Sequence, residues 1–341
     1  MKRASKEPRP GRARIRDVAA LAKVSTMTVA RVLRDPERVS GETRRRVELA
    51  LKSTGYTPDL VARSLSVRQT GVVAVLVPHL GHSSFTETIQ GMSDELSDDG
   101  FHILVGATGF SLEKEEAIVR AFLSRRVDAI FLTGTTHSAS TVRLLASSGI
   151  PVIEGNNIPD SPLDLVVGFS NEAAARAATA HLLSKGHTRI AHVGLDERNN
   201  DRMRDRHLGY VRALKSARIR VRPEWSIATD LAVEAGARAL RRLLAMKPAP
   251  SALFCASDVL AIGAVQECNR LGVRIPEGVA IVGFDDLEFA GELIPALTTI
   301  RIPRYEIGRA AGTMLRDCLA GRRLSKRIVD LGFELVIRDS S

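Results

Sequence analysis

The 341-residue sequence has three cysteines, one tryptophan, three tyrosines and no apolar run long enough to cross a membrane. Cys255, Cys268 and Cys318 are widely separated and form no CxxC pair, which argues against a disulfide framework and against a cysteine-based zinc site. The first residues are basic, but no apolar segment follows them, so we expect no secretory signal. These absences predict a cytoplasmic protein with reduced thiols and no membrane segment.

Sequence signatures of common enzyme classes are also missing. There is no GxGxxG motif that opens a helix, no phosphate-binding loop, no GxSxG motif and no cluster of metal ligands. Asp285 and Asp286 follow a predicted strand, and we interpret them as an acidic loop end rather than a metal site. The sequence therefore predicts a protein that is not an enzyme and needs no metal or cofactor.

Positive charge is concentrated near the N-terminus. The net charge is +10, and residues 1–70 hold 17 Lys and Arg against 7 Asp and Glu. The remaining 271 residues hold 32 of each and are neutral. Helical apolar periodicity runs through residues 15–66, so this part is interpreted as a folded basic module that binds a polyanion, most simply nucleic acid.

Three short helices are predicted within this module. IRDVAALA, residues 15–22, carries apolar residues at the i, i+3, i+4, i+7 spacing of one helical face. Ser25 is a good N-cap for a second helix, and Asp35-Pro36 should end it. Ser40 should cap a third helix, with Val47 and Ala50 inward and Gly55 as its stop. Two helices joined by a minimal turn indicate a helix-turn-helix, whose second helix would explain the exposed polar start of VSTMTVARVL.

From residue 72 the pattern changes to buried strands that alternate with amphipathic helices, which predicts parallel sheets covered on both faces. The strands are predicted at 72–77, 101–106, 128–132, 151–155, 189–194, 252–256 and 279–284. The length of this part suits two α/β lobes with a small-molecule site at the carboxyl ends of the strands. The predicted divisions are a basic tail (1–14), a helix-turn-helix domain (15–58), a hinge helix and linker (59–70) and a two-lobe core (71–341).

Several motifs in order resemble the lac repressor (LacI/GalR) family of bacterial transcription regulators. They are IRDVAALAKVSTMTVARVL, VSGETRRRVELALKSTGYTPDLVARSL, HLLSKGHTRIAHVG, ASDVLAIGAV, VAIVGFDD and IPALTTIRIPRYEIGRAAGTML. VGFSNEAA and LTTIRIPRYEIG are most similar to the gluconate-repressor branch. The resemblance implies an all-α helix-turn-helix followed by two doubly wound lobes like those of periplasmic binding proteins. It also implies a homodimer that binds a near-palindromic DNA operator under the control of a sugar or sugar acid of gluconate type.

The resemblance also assigns roles to individual positions. Base-reading positions are Thr26, Met27 and Arg31; phosphate contacts are Thr28, Ser40 and Thr43; and Arg63 and Leu65 belong to a hinge helix whose leucine enters the minor groove. Effector-binding positions are Ser84, Phe85, Arg206 and Asp258.

Some positions depart from the family pattern. Ala30 replaces a common serine, and Arg34 and Arg38 add charge that can replace the missing phosphate contact. Asp59 replaces a hinge asparagine, Leu231 an aromatic residue and Ile302 a glutamine. Two alternatives stay open: a two-lobe sugar receptor without a DNA role, and a regulator that responds to a nucleobase.

Overall fold

The computed structural model describes residues 13–56, 69–81 and 85–341. The chain divides into two compact units, residues 1–70 and 71–341. Ser84, Arg63, Leu65, the remainder of the predicted hinge helix and the side chain of Arg34 lie outside the described residues. Among the described residues, no helix is long and apolar enough to cross a membrane.

The described residues of the first unit form three helices: α1 (Ile15–Ala22), α2 (Thr26–Arg34) and α3 (Gly41–Thr54). A short 3-10 turn, Pro36–Arg38, joins α2 to α3. The apolar positions predicted from the periodicity form one buried cluster: Val18, Ala19, Ala22, Val29, Val32, Val47 and Ala50. Burial of these small side chains lets the helices approach closely, so this unit has its own core.

The helix ends follow the predicted pattern with one exception. The Ser25 side chain accepts a hydrogen bond from the Thr28 backbone N–H at 3.0 Å, and Gly55 ends α3 with φ +62°. Ser40 stands at the N-cap of α3, but its hydroxyl donates to Thr43 Oγ1 at 3.0 Å instead of accepting from the backbone. Arg46 supplies a cap that the sequence did not predict, since its guanidinium donates to the carbonyl of Ala22 at the end of α1.

The second unit contains two six-stranded sheets. The first has the order β11-β5-β4-β3-β1-β2 and the second the order β12-β10-β9-β8-β6-β7, and every strand pairing within the described residues except β10 with β12 is parallel. The strands are β1 (Val72–Val77), β2 (His102–Ala107), β3 (Ala129–Thr133), β4 (Val152–Gly155), β5 (Leu165–Gly168), β6 (Ile190–Gly194), β7 (Ser226–Ala228), β8 (Ala252–Cys255), β9 (Ala280–Asp285), β10 (Thr298–Arg301), β11 (Ile328–Asp330) and β12 (Glu334–Val336). All seven predicted strands are present with ends shifted by no more than one residue; β5, β7, β10, β11 and β12 were not predicted.

Helices cover both sheets and define two lobes. The N-lobe is the first sheet with α4 (Thr86–Ser97), α5 (Leu112–Ser124), α6 (Ala139–Ser148) and α11 (Arg304–Leu319); the C-lobe is the second sheet with α7 (Asn171–Ser184), α8 (Asp201–Ser216), α9 (Val233–Leu244) and α10 (Asp258–Leu271). The chain passes between the lobes three times, after β5, after β10 and between β11 and β12. Each lobe has the strand order of a doubly wound fold, with its switch point beside its first strand.

Candidate functional site

The first two turns of α2 expose short or flexible side chains. Val29 and Val32 are buried on the inner side of the helix, while Thr26 and Arg31 are exposed and the Met27 side chain is 71% exposed. Met27 and Arg31 are one helical turn apart, so their side chains share a face. The three positions predicted to read bases therefore lie together on the solvent side of α2.

The predicted phosphate-contact residues lie at or just before the first turns of α2 and α3. Arg38 and Ser40 are exposed and Thr43 is partly buried. The Thr28 hydroxyl lies 2.9 Å from Ser25 Oγ, so it is held by the N-terminal cap of α2. These positions place hydroxyl and guanidinium donors near a helix N-terminus, where the backbone dipole also favours an anion.

The second candidate site is a cavity between the two lobes. It is lined by residues at the ends of strands: Asn156 directly after β4, Phe169 after β5, Leu195 after β6 and Ile302 after β10, with His79 two residues beyond β1 and Ser257 two residues beyond β8. Carboxyl ends of parallel strands at a switch point are the usual ligand position in such folds. The topology of both sheets therefore converges on one cleft.

Aromatic side chains form one wall of the cleft. His79 meets Phe85 edge to face with ring centroids 5.6 Å apart, and it meets Phe110 at 5.8 Å. The other apolar lining residues are Phe169, Leu195, Met203, Leu231 and Ile302. Such a surface packs against the C–H groups of a sugar or against a planar ring.

Three buried arginines and one carboxylate supply most of the charge of the cleft. Arg202, Arg206 and Arg304 line it together with Asp285, and all four are buried. The excess of guanidinium groups favours an anionic ligand, because a carboxylate or phosphate can accept two parallel hydrogen bonds from one arginine.

Arg206 is held tightly by the C-lobe. Its Nε donates to Asn171 Oδ1 at 2.9 Å and its Nη1 donates to the Ala256 carbonyl at 2.6 Å. The guanidinium lies over the Phe284 ring, 3.6 Å from its centroid, and Nη2 is 3.8 Å from Asp285 Oδ1. Burial lowers the pKa of Arg206 to about 10, so the side chain keeps its charge at neutral pH.

Arg304 orders the end of β9. Its guanidinium donates to the carbonyls of Asp285 and Asp286 and pairs with Glu87 of α4 at 2.8 Å. Asp285 and Asp286 have φ values of +122° and +50°, a region that non-glycine residues adopt only when their surroundings enforce it. Asp286 is also paired with Arg301 at 2.7 Å and Arg338 at 2.8 Å. Asp285 and Asp286 are thus part of a network of contacts with arginines. This arrangement is compatible with their interpretation from the sequence as an acidic loop end.

The first turn of α8 connects the two lobes. Asp201 Oδ2 accepts hydrogen bonds from Thr135 Oγ1 at 3.0 Å and Asn157 Nδ2 at 2.8 Å, both of the N-lobe. Burial alone would raise the pKa of Asp201, but the Arg202 charge and these hydrogen bonds outweigh burial and lower it. The cleft is therefore closed by direct hydrogen bonds between Asp201 of the C-lobe and the N-lobe. Within the C-lobe, Gly209 lets α8 lie against α7, because a Cβ there would collide with the Glu172 carbonyl.

The cleft is narrow in this structure. The cavity at the arginines has a volume of about 50 Å³, room for only a few water molecules. An adjoining cavity of about 470 Å³, lined by Phe110, Asn199, Thr229 and Leu231 among others, opens beside it. A ligand of sugar size would need the lobes to separate or the side chains to move before it reached the arginines.

Two family models match the chain. Residues 14–59 match bacterial regulatory proteins of the lacI family, and residues 179–341 match a periplasmic binding protein-like domain. The transcriptional repressor CytR of Escherichia coli K12 is 33% identical over 330 residues, covering 96% of this chain and 96% of that protein. The chain belongs to the lacI family. Another relative, the transcriptional regulator GntR of Pseudomonas aeruginosa, is 35% identical over 335 residues, covering 97% of this chain and 96% of that protein.

Solved structures of the lacI family have the same architecture. A LacI-family regulator from Silicibacter pomeroyi has a TM-score of 0.90 at 29% identity and covers 96% of this chain and 99% of its own. The lac repressor dimer bound to operator has a TM-score of 0.84 at 25% identity, with 97% and 99% coverage. The protein is thus a DNA-binding transcriptional regulator with an effector-binding core, and like the lac repressor it belongs to a family that acts as dimers. Its relatives are regulators rather than enzymes.

The structure brings some of the predicted effector residues of this lacI-family regulator to the cleft and not others. Phe85 and Arg206 line the cavity, as do the departures Leu231 and Ile302. Asp258 does not line it: the residue is fully buried, with Oδ1 accepting from the Thr299 hydroxyl at 2.6 Å and Oδ2 from the Leu287 N–H at 2.9 Å. The carboxylate at the cavity is Asp285. Of the lining residues that the sequence interpretation missed, Asn156, Phe169 and Leu195 directly follow a strand, and that position is a signal that would have found them.

The buried Asp258 predicts an unusual pH dependence of stability. Burial, reinforced by the charge of Asp285, raises the pKa of Asp258 to about 7, whereas the pKa of an aspartate in the unfolded chain is about 4. Between about pH 4 and 7 the folded chain therefore binds a proton that the unfolded chain lacks, and raising the pH costs stability at up to about 1.4 kcal/mol per pH unit. We expect Asp258→Asn to remove this pH-dependent contribution, because an amide does not titrate in this range. The local structure should be kept, since the amide can donate to Thr299 while its oxygen accepts from Leu287.

Chemical denaturation between pH 5 and 8 measures this effect as the difference between variant and parent. Asp160→Asn, a change of an exposed aspartate, is the matched control and should leave the slope unchanged. Parallel pH profiles for the parent and Asp258→Asn would contradict the prediction.

Proposed function

We propose that this lacI-family regulator works in the cytoplasm as a homodimer on a near-palindromic operator, and that a small sugar acid of gluconate type controls its operator affinity. In this proposal α2 of each subunit enters the major groove. The segment 59–66 forms a hinge helix whose Leu65 enters the minor groove, where an apolar wedge unstacks bases at a cost that the bend of the DNA and the added contacts offset.

The DNA role of α2 is supported by how its two faces divide. Val29 and Val32 fix the inner face in the core of the unit, and Thr26, Met27 and Arg31 stay available on the outer face. The major groove admits one α-helix, and short or flexible polar side chains at its first turns can reach base edges. Arg38 and Ser40 are placed to contact the phosphates beside that groove.

Substitutions on α2 should separate base reading from phosphate contact. We expect Thr28→Ala to weaken binding to all duplexes by a similar factor, about fivefold for the loss of one hydrogen bond. Met27→Ala should instead change which half-site is preferred. The measurement is competitive fluorescence anisotropy against a panel of half-site variants, and Leu49→Ala, an exposed apolar residue of α3, serves as the control. If Thr28→Ala changed the base preference and Met27→Ala did not, the two roles would have to be exchanged.

The excess of buried guanidinium groups at the cleft carries the effector proposal. Three arginines and one carboxylate line the cavity, so a ligand with a negative group would meet more guanidinium groups than carboxylates there. Asn156 adds a donor, because its buried Nδ2 has no hydrogen-bond partner among the described residues, and Ser257 adds an acceptor oxygen, since its hydroxyl donates to Asp285 Oδ2 at 3.1 Å. A polyhydroxylated acid would use the arginines, these polar groups and the aromatic wall at once.

The aromatic wall supports a second candidate, a nucleobase or nucleoside. His79, Phe85 and Phe110 could pack against a planar ring. A nucleobase carries no anionic group, however, and would offer the guanidinium groups of the lining no anionic acceptor. The arginines therefore favour the sugar acid.

The proposal is tested by ligand screening and by linkage. Operator duplexes are first selected in vitro with the full chain. Gluconate, glucitol, glucose and nucleosides are then compared by thermal shift and calorimetry, with and without operator. A ligand at 100 times its Kd should stabilise the chain by about 2.7 kcal/mol, and it must change operator affinity by the same factor by which operator changes its own affinity. A preference for a nucleoside, or for glucitol over gluconate, would overturn the sugar-acid proposal, and a ligand without effect on operator affinity would contradict its role as effector.

A further inference from the structure

Arg202 differs from the other arginines of the cleft in how few of its donors are used. Its side chain is only 7% exposed, and its one polar contact within the described parts of the chain is from Nη1 to Asp201 Oδ1 at 3.5 Å. That distance is at the outer limit of a hydrogen bond. A guanidinium offers five N–H donors, so most of the donor capacity of this buried group is available.

The neighbouring arginines have firm partners in the protein itself. Arg206 is bonded to Asn171 and Ala256 and stacked on Phe284. Arg304 is bonded to Glu87 and to two backbone carbonyls. Both therefore hold the shape of the cleft, and a ligand would have to displace existing contacts to use most of their donors.

The position of Arg202 brings its charge between the lobes. It lines the main cavity and also a smaller polar cavity of about 20 Å³. Its guanidinium lies against Gly134 of the N-lobe, where φ is +96° and where a Cβ would collide with Nη1. Glycine at this position allows a C-lobe arginine to reach across the closed cleft.

The two cavities differ in charge, which decides where an anion would sit. The smaller cavity is lined by the carboxylates of Glu115 and Asp201. Glu115 is paired with His137 at 2.9 Å. Burial alone would lower the pKa of His137, but its hydrogen bonds to Glu115 and Glu154 raise that pKa to about 9. The main cavity is lined by three arginines and one carboxylate. An anionic group is therefore favoured on the main-cavity side of Arg202.

We infer that Arg202 is the residue that pairs with the anionic group of the effector and so sets its charge requirement, while Arg206 and Arg304 position the cleft. This inference rests on the proposed function, since it assigns the anion of a sugar acid to one side chain. The planar guanidinium can donate two parallel hydrogen bonds to a carboxylate, which a buried site strengthens. The hydroxylated part of the ligand then extends toward the adjoining cavity of about 470 Å³ that Phe110 and Leu231 line.

The test compares gluconate with glucitol, its neutral counterpart, by calorimetry on the full chain. Arg202→Gln should lower gluconate affinity at least about tenfold, as expected for loss of charged hydrogen bonds, and change glucitol affinity by less than about twofold. Arg204→Gln is the matched control: it lies on the same helix, its side chain is 53% exposed, and it should change neither affinity. Arg202→Lys keeps the charge and should restore part of the gluconate affinity; it also provides the comparison if Arg202→Gln folds poorly.

The outcomes separate the inference from the proposed function. A parent protein that binds gluconate, with Arg202→Gln unchanged or with equal losses for gluconate and glucitol, overturns the role of Arg202 and leaves the sugar-acid proposal in place. A parent protein that prefers glucitol, or that binds neither compound, overturns both.

Discussion

Removal of residues 1–70 is expected to abolish operator binding, with an affinity loss of at least about 1000-fold at physiological salt, the usual gap between specific and non-specific binding. All the excess positive charge lies in this segment, and residues 71–341 hold 32 basic and 32 acidic side chains. A neutral core releases no counterions from DNA. Fluorescence anisotropy with a labelled operator measures the loss, and circular dichroism checks that the fragment is folded.

The same charge distribution predicts a steep salt dependence for the full chain. Neutralising 6–10 phosphates would lower the affinity by roughly 10³–10⁵ between 50 and 200 mM salt. Arg31→Gln on the exposed face of α2 should reduce this slope, whereas Arg242→Gln, an exposed arginine of the core unit, should not. A fragment of residues 71–341 that bound operator as tightly as the full chain would show that the DNA-binding surface lies elsewhere.

The elements that the sequence predicted correctly are those whose apolar pattern is long enough to be periodic. The cluster around Val18, Val29 and Val47 follows from helical spacing alone. The strands that were missed have only three or four residues, and β11 (Ile328–Asp330) is half exposed. The edge strands β11 and β12 form because the chain crosses between the lobes and meets an open sheet edge, and this tertiary cause leaves no periodic pattern.

The cleft was predictable in position but not in every side chain. Arg206 was found through the family motif, and Asp258 was expected beside it. The side chain of Asp258 instead bonds Thr299 and Leu287, because the start of α10 directs it under β10 rather than into the cavity. Arg202 could have been recognised from its spacing: it is four residues before Arg206 on the buried face of α8, while Arg204 between them is exposed. In a run of charged residues, composition alone indicates a solvated helix face. It does not distinguish the buried Arg202 and Arg206 from the exposed Arg204.

The second large effect is expected from Arg206→Ala. The guanidinium is buried, bonded to Asn171 and Ala256, and paired with Asp285. Its removal leaves a buried carboxylate and a buried carbonyl without their partner, which destabilises proteins by about 3–5 kcal/mol. Denaturation of the full chain, followed by fluorescence of the single, buried Trp225 of the C-lobe, measures the loss. Arg206→Lys keeps the charge but not the planar fork and should lose less.

A double-mutant cycle with Asp285→Asn identifies the cause of that loss. If the uncompensated Asp285 carboxylate accounts for much of it, Arg206→Ala in the Asp285→Asn background should cost clearly less than in the parent, because a neutral amide tolerates the loss of the neighbouring charge. Additive effects would mean that packing over Phe284 and the bond to Ala256 dominate instead. Either result concerns the rigidity of the cleft wall, since burial raises the pKa of Asp285 while the charges of Arg206, Arg304 and Arg202 and a hydrogen bond from Ser257 oppose that rise. The arginine network at the end of β9 thus stabilises the carboxylate that faces the effector cavity.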